Sequence, residues 1–132
     1  MRTGEIYYWN TTKARGHDLR QKYHIFICDS DWQEDNTFLF ISTQEYFKDF
    51  KITRSDWVEM PKEESFVGCA SPAFYTDAEL QLYKIERSGT LTVECMRRLA
   101  LHVQNSETLE RRYISRITNA LHEACKRRTT RR

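Results

Sequence analysis

The sequence contains no apolar run approaching the ~20 residues that a membrane-spanning helix needs. It also lacks the apolar stretch and small-residue cleavage site of a secretory signal peptide at its start. Internal repeats and low-complexity segments are absent, and the length of 132 residues suits one domain. We therefore predict a single domain over residues 1–132 that works in the cytoplasm and has no membrane partner.

Cysteine is sparse and scattered. The four cysteines are too far apart in the sequence to form the Cys-x-x-Cys knuckle of zinc sites; they are Cys28, Cys69, Cys95 and Cys125. We therefore predict no metal site and no cofactor. Cytoplasmic thiols stay reduced, so all four are expected to be small buried side chains, with Cys69 as the one candidate for a reactive thiol.

The period of the apolar pattern changes near residue 88. Before it, short runs rich in aromatic and β-branched residues alternate with turn signals and predict strands. These runs are Glu5–Trp9, Tyr23–Cys28, Phe38–Ile41, Lys51–Thr53, Phe66–Cys69 and Leu82–Glu86. The predicted fold class is α+β, mainly β: a closed barrel of five or six strands over residues 1–88, followed by two C-terminal helices.

The two helices are predicted over residues 90–104 and 106–127, with a frayed tail over residues 128–132. Thr92 is a plausible N-cap of the first helix. Its apolar stripe consists of Val93, Met96, Leu99, Ala100 and Val103, and the second stripe consists of Leu109, Tyr113, Ile114, Ile117, Ala120, Leu121 and Ala124. Neither helix can hide its stripe alone, so both must pack on the barrel, on each other or on a second subunit.

Positive charge is concentrated at the end of the chain. Residues 103–132 hold eight Lys or Arg residues against three Glu residues, although the whole chain has a net charge of only +2. The exposed face of the second helix carries Arg111, Arg112 and Arg116. Such asymmetry predicts a polyanion or an acidic protein as a partner.

A long polar loop over residues 10–21 is the second basic region. It carries Lys13, Arg15, His17 and Arg20, and Lys22 follows directly. Long loops inside small domains are often functional. The sequence therefore predicts that this loop contributes to a binding or catalytic site.

Several short motifs occur in the order seen in a known family. They are the start Gly4-Glu5-Ile6, the strand end Ile41-Ser42-Thr43, the segment Lys62–Cys69, the segment Asp77-Ala78-Glu79-Leu80, and the helix entry Ser88-Gly89-Thr90-Leu91-Thr92 with Met96. Over about residues 4–104 this pattern resembles the PemK/MazF-like toxins of bacterial toxin–antitoxin pairs. The resemblance implies an SH3-like barrel, a homodimer, an acidic antitoxin-like partner, and metal-independent cleavage of single-stranded RNA.

The family's catalytic Arg-Pro pair is aligned with Tyr23-His24, and its acidic residue after the Ser-x-Val strand has no counterpart near residues 71–73. Cleavage without a metal needs an acid, a base and cations. The substitute candidates are His24, which titrates near neutral pH, with Arg20 and either Ser42 or Thr43. The nucleic-acid-binding candidates are Lys13, Arg15, His17, Lys22, Arg111, Arg112 and Arg116.

Two functions stay open at this point. The first is an endoribonuclease with a rearranged site, and the second is a non-catalytic PemK/MazF-like module that binds nucleic acid or an acidic protein within a larger assembly.

Most of the aromatic residues are expected to lie in the core. Tyr8 and Trp32 are the candidates for exposed platforms on which unpaired bases stack.

Overall fold

Antiparallel strands form one curled sheet in the computed structural model, which describes residues 1–14, 19–46 and 48–130. Within these ranges the strands are β1 (Glu5–Thr11), β2 (Arg20–Cys28), β3 (Asn36–Ser42), β4 (Phe50–Thr53), β5 (Glu64–Val67), β6 (Ala73–Tyr75) and β7 (Glu86–Thr90). The helices are α1 (Asp77–Leu82), α2 (Val93–Gln104) and α3 (Arg111–Thr130). The predicted α+β class with C-terminal helices is confirmed. None of the described helices is both long and apolar enough to cross a membrane.

The sheet is a half-barrel. Its strand order is β4-β5-β3-β2-β1-β7, with β6 paired to β3, and the two outer strands β4 and β7 form no ladder with each other. The expected closed barrel is therefore open between these edges. The gap is bridged by the β4–β5 connection, where the Trp57 indole N–H donates to the Ser88 carbonyl at 3.0 Å.

Gly89 makes that bridge possible. Its φ is +144°, and a Cβ at this position would overlap the Trp57 indole. Only glycine combines this backbone conformation with so close an approach. Gly4 is held in a similar way, since its φ is +91° and a Cβ would lie 2.5 Å from the Met96 sulfur. Gly4 and Gly89 thus allow the segment that leads into α2 to pack closely against the sheet.

Successive residues of the central strands belong to two different cores. One core consists of the aliphatic residues of the sheet, such as Ile25, Ile27 and Leu39, together with the apolar stripes of α2 and α3. The other core, on the opposite face, contains Tyr7, Trp9, Phe26, Phe38, Ala73 and Tyr75 and is covered by β6 and α1. Because side chains alternate across a strand, the near-continuous apolar runs reflect burial on both faces. We call the second cluster the aromatic core.

The helices match the predicted stripes. Thr92 caps α2 by accepting a hydrogen bond from the Cys95 backbone N–H, as predicted. A capping box of Thr76 and Glu79 starts the short helix α1. The last strand begins at Glu86 rather than Leu82.

The C-terminal end of α3 also differs from the prediction. Fraying was expected from residue 128, but the helix continues to Thr130, and Arg128 donates to the Leu91 carbonyl at 2.6 Å. This contact fixes the last described turn of α3 to the junction between β7 and α2. Residues 131 and 132 lie outside the described part of the chain.

Candidate functional site

A groove of about 350 Å³ lies where β2 and β3 leave the aromatic core. Tyr23 pairs with Ile41 in the β2–β3 ladder, so Lys22 and Ser42 come next at this end of the two strands. Alternation places both on the face of the aromatic core, beside Phe40. All three residues line the groove. The strand register thus joins two candidates that are 20 positions apart in the sequence.

Three connections complete the walls. The β1–β2 connection contributes Lys13 and Ala14, the β3–β4 connection contributes Tyr46 and Asp49, and the β5–β6 connection contributes Gly68 and residues 70–72. The Asp49 carboxylate accepts the Tyr46 backbone N–H at 2.9 Å, which closes that turn. The result is an open groove with a largely apolar lining and a few charged groups at its rim.

Lys22 is the main cation of the groove. Its side chain is half-buried, and burial, followed by the nearby Arg20 charge, lowers its pKa. Among the described residues no carboxylate pairs with it. Lys13, in contrast, forms an ion pair with Glu79 at 3.3 Å and lies over the Tyr75 ring. The positive charge that is free to meet an anion is therefore that of Lys22.

His24 lies beneath the groove, inside the aromatic core. Its side chain is fully buried, and its ring stacks on Trp9 with centroids 3.5 Å apart. Nδ1 donates to the Lys22 carbonyl at 3.0 Å, and Nε2 therefore accepts from the Tyr75 hydroxyl at 2.9 Å. The Thr11 hydroxyl donates in turn to the Tyr75 oxygen at 2.6 Å. Both ring nitrogens are thus used inside the fold.

This burial changes the chemistry open to His24. Desolvation lowers its pKa to about 3, so the imidazole is neutral near pH 7. Proton transfer to a substrate needs a side chain within hydrogen-bond reach, and the described geometry gives the ring no opening to the groove. His24 was selected as a catalytic candidate; the structure places it as a buried support for the groove floor instead.

The remaining catalytic candidates are spread out. The Ser42 hydroxyl lines the groove and accepts the Gln44 backbone N–H at 3.2 Å. Thr43 is exposed and is not part of the groove lining, and Arg20 is exposed at the start of β2. Arg15 and His17 lie outside the described residues.

Arg112 and Arg116 of α3 are far from the groove, because they meet the β2–β3 connection at the other end of the hairpin. Arg112 pairs with Glu34 at 2.9 Å and with Glu110 at 3.0 Å. Arg116 pairs with Asp31 and also donates to the Asp29 and Asp35 carbonyls at 2.8 and 3.1 Å. Two of the predicted nucleic-acid-binding residues thus bind an acidic segment of their own chain. Arg111 is exposed.

The groove contains residues that the sequence analysis did not select, namely Phe40, Tyr46 and Asp49. The alternation of Phe38, Phe40 and Ser42 was a usable signal for the first of these. No sequence pattern indicated Tyr46 or Asp49, because both belong to an irregular connection. Their contribution depends on how that connection folds over the strand ends.

Burial determines the chemistry of the cysteines. Cys69, Cys95 and Cys125 are buried and Cys28 is half-buried, all as free thiols. Desolvation raises the pKa of Cys69 to about 12, which removes it as a reactive nucleophile. Within the described ranges, no group of three or more His, Cys, Asp or Glu residues is arranged to hold a metal ion.

The two aromatic candidates differ in exposure. Trp32 is 90% exposed at the tip of the β2–β3 connection. Tyr8 is only partly exposed, and its hydroxyl donates to Gln21 at 2.7 Å while its ring packs against Tyr23. Of these two candidates, Trp32 is therefore the side chain that stands free in solvent.

Comparison with known proteins adds no relative. No protein-family model matches this chain, and no curated protein matches it. The resemblance to PemK/MazF-like toxins therefore rests on the quoted residues of this chain.

Proposed function

We propose that this chain is a PemK/MazF-like module that binds single-stranded RNA or a related nucleic acid through the groove without cutting it. One observation carries the proposal: Lys22 is half-buried and has no ion-pair partner among the described residues, at the edge of a groove lined by Phe40. A partly desolvated ammonium group is stabilised when an anion approaches it. A phosphate supplies that anion.

The apolar part of the groove favours a nucleic acid over a simple anion. Phe40 is partly exposed, and Gly68 and Pro72 also line the groove. An unpaired base can stack on an aromatic ring, which contributes about 1–3 kcal/mol per base. Ser42 adds a hydroxyl that can donate to a phosphate oxygen. Cation, hydroxyl and aromatic surface together match one nucleotide of a single strand.

The burial of His24 favours binding over catalysis. The residue proposed as acid or base is neutral and hydrogen-bonded at both nitrogens. The pair aligned with the family's Arg-Pro is Tyr23-His24, and its second member supports the groove from below.

Metal-independent cleavage remains the second candidate, and one observation favours it. The Asp49 carboxylate and the Lys22 ammonium group line the same groove. Asp49 would take the proton of a ribose 2′-hydroxyl, whose oxygen attacks the phosphorus. The 5′-oxygen would leave with a proton from Lys22, giving a 2′,3′-cyclic phosphate and a 5′-hydroxyl. As a toxin-like protein it would then arrest growth when produced alone, and an acidic antitoxin-like protein would protect the cell.

Binding of the protein to a fluorescently labelled single-stranded RNA tests whether the groove is the nucleic-acid site. Lys22→Ala is expected to weaken binding about 10-fold, as the loss of one charged contact of 1–2 kcal/mol implies. The matched control is Lys62→Ala, which removes an exposed lysine that does not line the groove. Equal binding by both variants would refute the proposal.

Cleavage is tested with the same RNA in a chelator. Intact RNA that stays bound supports the non-catalytic module. Products with cyclic phosphate ends that disappear with Asp49→Asn would instead establish the second candidate. His24→Gln serves as a further comparison, because the geometry gives its ring no contact with the substrate.

A further inference from the structure

The tip of the β2–β3 connection holds a large apolar side chain in solvent. Trp32 is 90% exposed, whereas Trp9 and Trp57 are buried. Tryptophan is rarely left free on a surface without a partner, and it is among the residues that most often dominate binding interfaces. The position of Trp32 therefore needs an explanation beyond the fold.

The connection that carries Trp32 is held firmly. The Asp31 carboxylate accepts the backbone N–H groups of Gln33 and Glu34 at 2.7 and 2.9 Å. Arg116, whose side chain is 14% exposed, fastens the same segment to α3 through Asp31 and two backbone carbonyls. Side chains on a rigid segment lose less conformational entropy when they bind. The backbone that carries Trp32 is thus held in one position.

The surroundings of Trp32 are acidic. Arg112 and Arg116 offset the charges of Glu34 and Asp31. Asp29 and Asp35 are exposed, and among the described residues no cation pairs with their carboxylates. The tip is therefore an indole flanked by negative charge, which fits an apolar groove with a positive rim.

The groove beside Lys22 has these properties. Its volume of about 350 Å³ and its apolar residues Phe40 and Pro72 suit an indole ring. Its charged lining residues are Lys13, Lys22 and Asp49, so cations outnumber the one carboxylate, and among the described residues no carboxylate pairs with Lys22. Within one chain the contact cannot form, because Lys22 lies near the start of β2 and Trp32 follows its last residue, Cys28; Lys22 and Cys28 are about 20 Å apart at the rise of a strand. The occupant must come from another molecule.

We infer that the Trp32 tip of one copy docks into the groove of a second copy. Two reciprocal contacts of this kind, related by a two-fold axis, form a closed dimer. The inference rests on the proposed function insofar as the same groove takes the nucleic acid. In the dimer, which we call self-blocked, the Trp32 of each copy occupies the groove of the other. RNA and the second copy then compete for Lys22 and Phe40.

Sedimentation over a range of concentrations tests the contact. Wild-type protein is expected to dimerise. Trp32→Ala and Lys22→Glu are each expected to raise the dimer dissociation constant at least about 30-fold, because each removes both reciprocal contacts and the loss of one binding hot spot alone has that effect. A mixture of the two variants should associate again, since the groove of the first meets the tip of the second. Leu82→Ala, which removes another exposed apolar side chain, is the matched control.

Fluorescence provides a second readout. Trp32 is the exposed tryptophan, so its emission should shift to shorter wavelength and lose iodide quenching as the concentration rises. A monomer at every concentration, or a dimer that both variants leave unchanged, would overturn the inference.

The RNA assay distinguishes this failure from failure of the proposed function. Trp32→Ala should bind RNA at least as tightly as the wild type, because its groove is unblocked, whereas Lys22→Glu should lose both activities. Loss of RNA binding in Trp32→Ala would show that the tip contacts RNA and would reject the self-blocked dimer.

Discussion

Acidification should destabilise the fold through His24 before carboxylate protonation takes over. The folded-state pKa is about 3 and the ordinary value is 6.5. Below pH 6.5 the unfolded chain therefore binds a proton that the folded chain does not. The free energy of unfolding then falls by about 1.4 kcal/mol per pH unit, which gives a loss of about 2 kcal/mol between pH 6.5 and pH 5.

The pH range over which His24 affects the free energy of unfolding is limited on both sides. Above the ordinary value of 6.5 both states are neutral at this ring, so His24 contributes no slope. The loss would continue until the pH approaches the folded-state value of about 3. Carboxyl groups whose pKa is lowered in the fold, such as Glu5 and Glu79, add their own acid loss at lower pH. Measurements above about pH 5 keep these contributions small.

Urea unfolding followed by far-ultraviolet circular dichroism measures the effect. His24→Gln keeps a polar side chain but removes the titrating ring, so its unfolding free energy should stay flat over this window. His122→Gln alters an exposed histidine of α3 and keeps the wild-type slope, because His24 is still present. A wild-type protein with the same stability at pH 5 and at pH 7 would refute the buried, neutral imidazole.

Two further predictions concern the fold around the site. Arg116→Ala should lower the free energy of unfolding by about 2 kcal/mol, since it removes charged hydrogen bonds made by a mostly buried side chain. Substitution of the exposed Arg111 by Ala should change it by less than about 0.5 kcal/mol. Equal effects of the two substitutions in thermal unfolding would contradict the role of Arg116 in holding the β2–β3 connection. Gly89→Ala should cost about 2 kcal/mol or more, because strain at positive φ adds to overlap with Trp57. Gly68→Ala is the comparison, as a Cβ there lies 3.8 Å from its nearest neighbour; similar midpoints for both variants would contradict the bridge.

Much of the fold follows from local patterns. The aromatic and β-branched runs located the central strands, and the stripes of Met96 and Leu99 in α2 and of Ile117 and Leu121 in α3 identified the buried helix faces. These features depend on periodicity, which a single sequence displays directly. The short helix α1 and the start of β7 were less visible, since a six-residue element has little periodicity.

The site was harder to predict because it depends on long-range register. Lys22 and Ser42 were selected for their chemistry, and their meeting follows from the β2–β3 ladder. His24 has the same chemistry as a surface histidine in the sequence. Its burial is decided by Trp9 and Tyr75, which come from strands β1 and β6. The ion pairs of Arg112 and Arg116 could not be read from the sequence, because only the fold brings the acidic connection to them.

The two-sided burial of β2 and β3 has a consequence for motion. If β3 slipped by one residue along β2, Leu39 and Ile41 would enter the layer around Trp9, and Phe38 would face the helices. Both layers would have to be repacked at once, so sliding of the strands is blocked. Any widening that admits a ligand must therefore come from the connections that line the groove, at Lys13 and Ala14, at Tyr46 and Asp49, and at residues 68–72, while the sheet beneath them stays fixed.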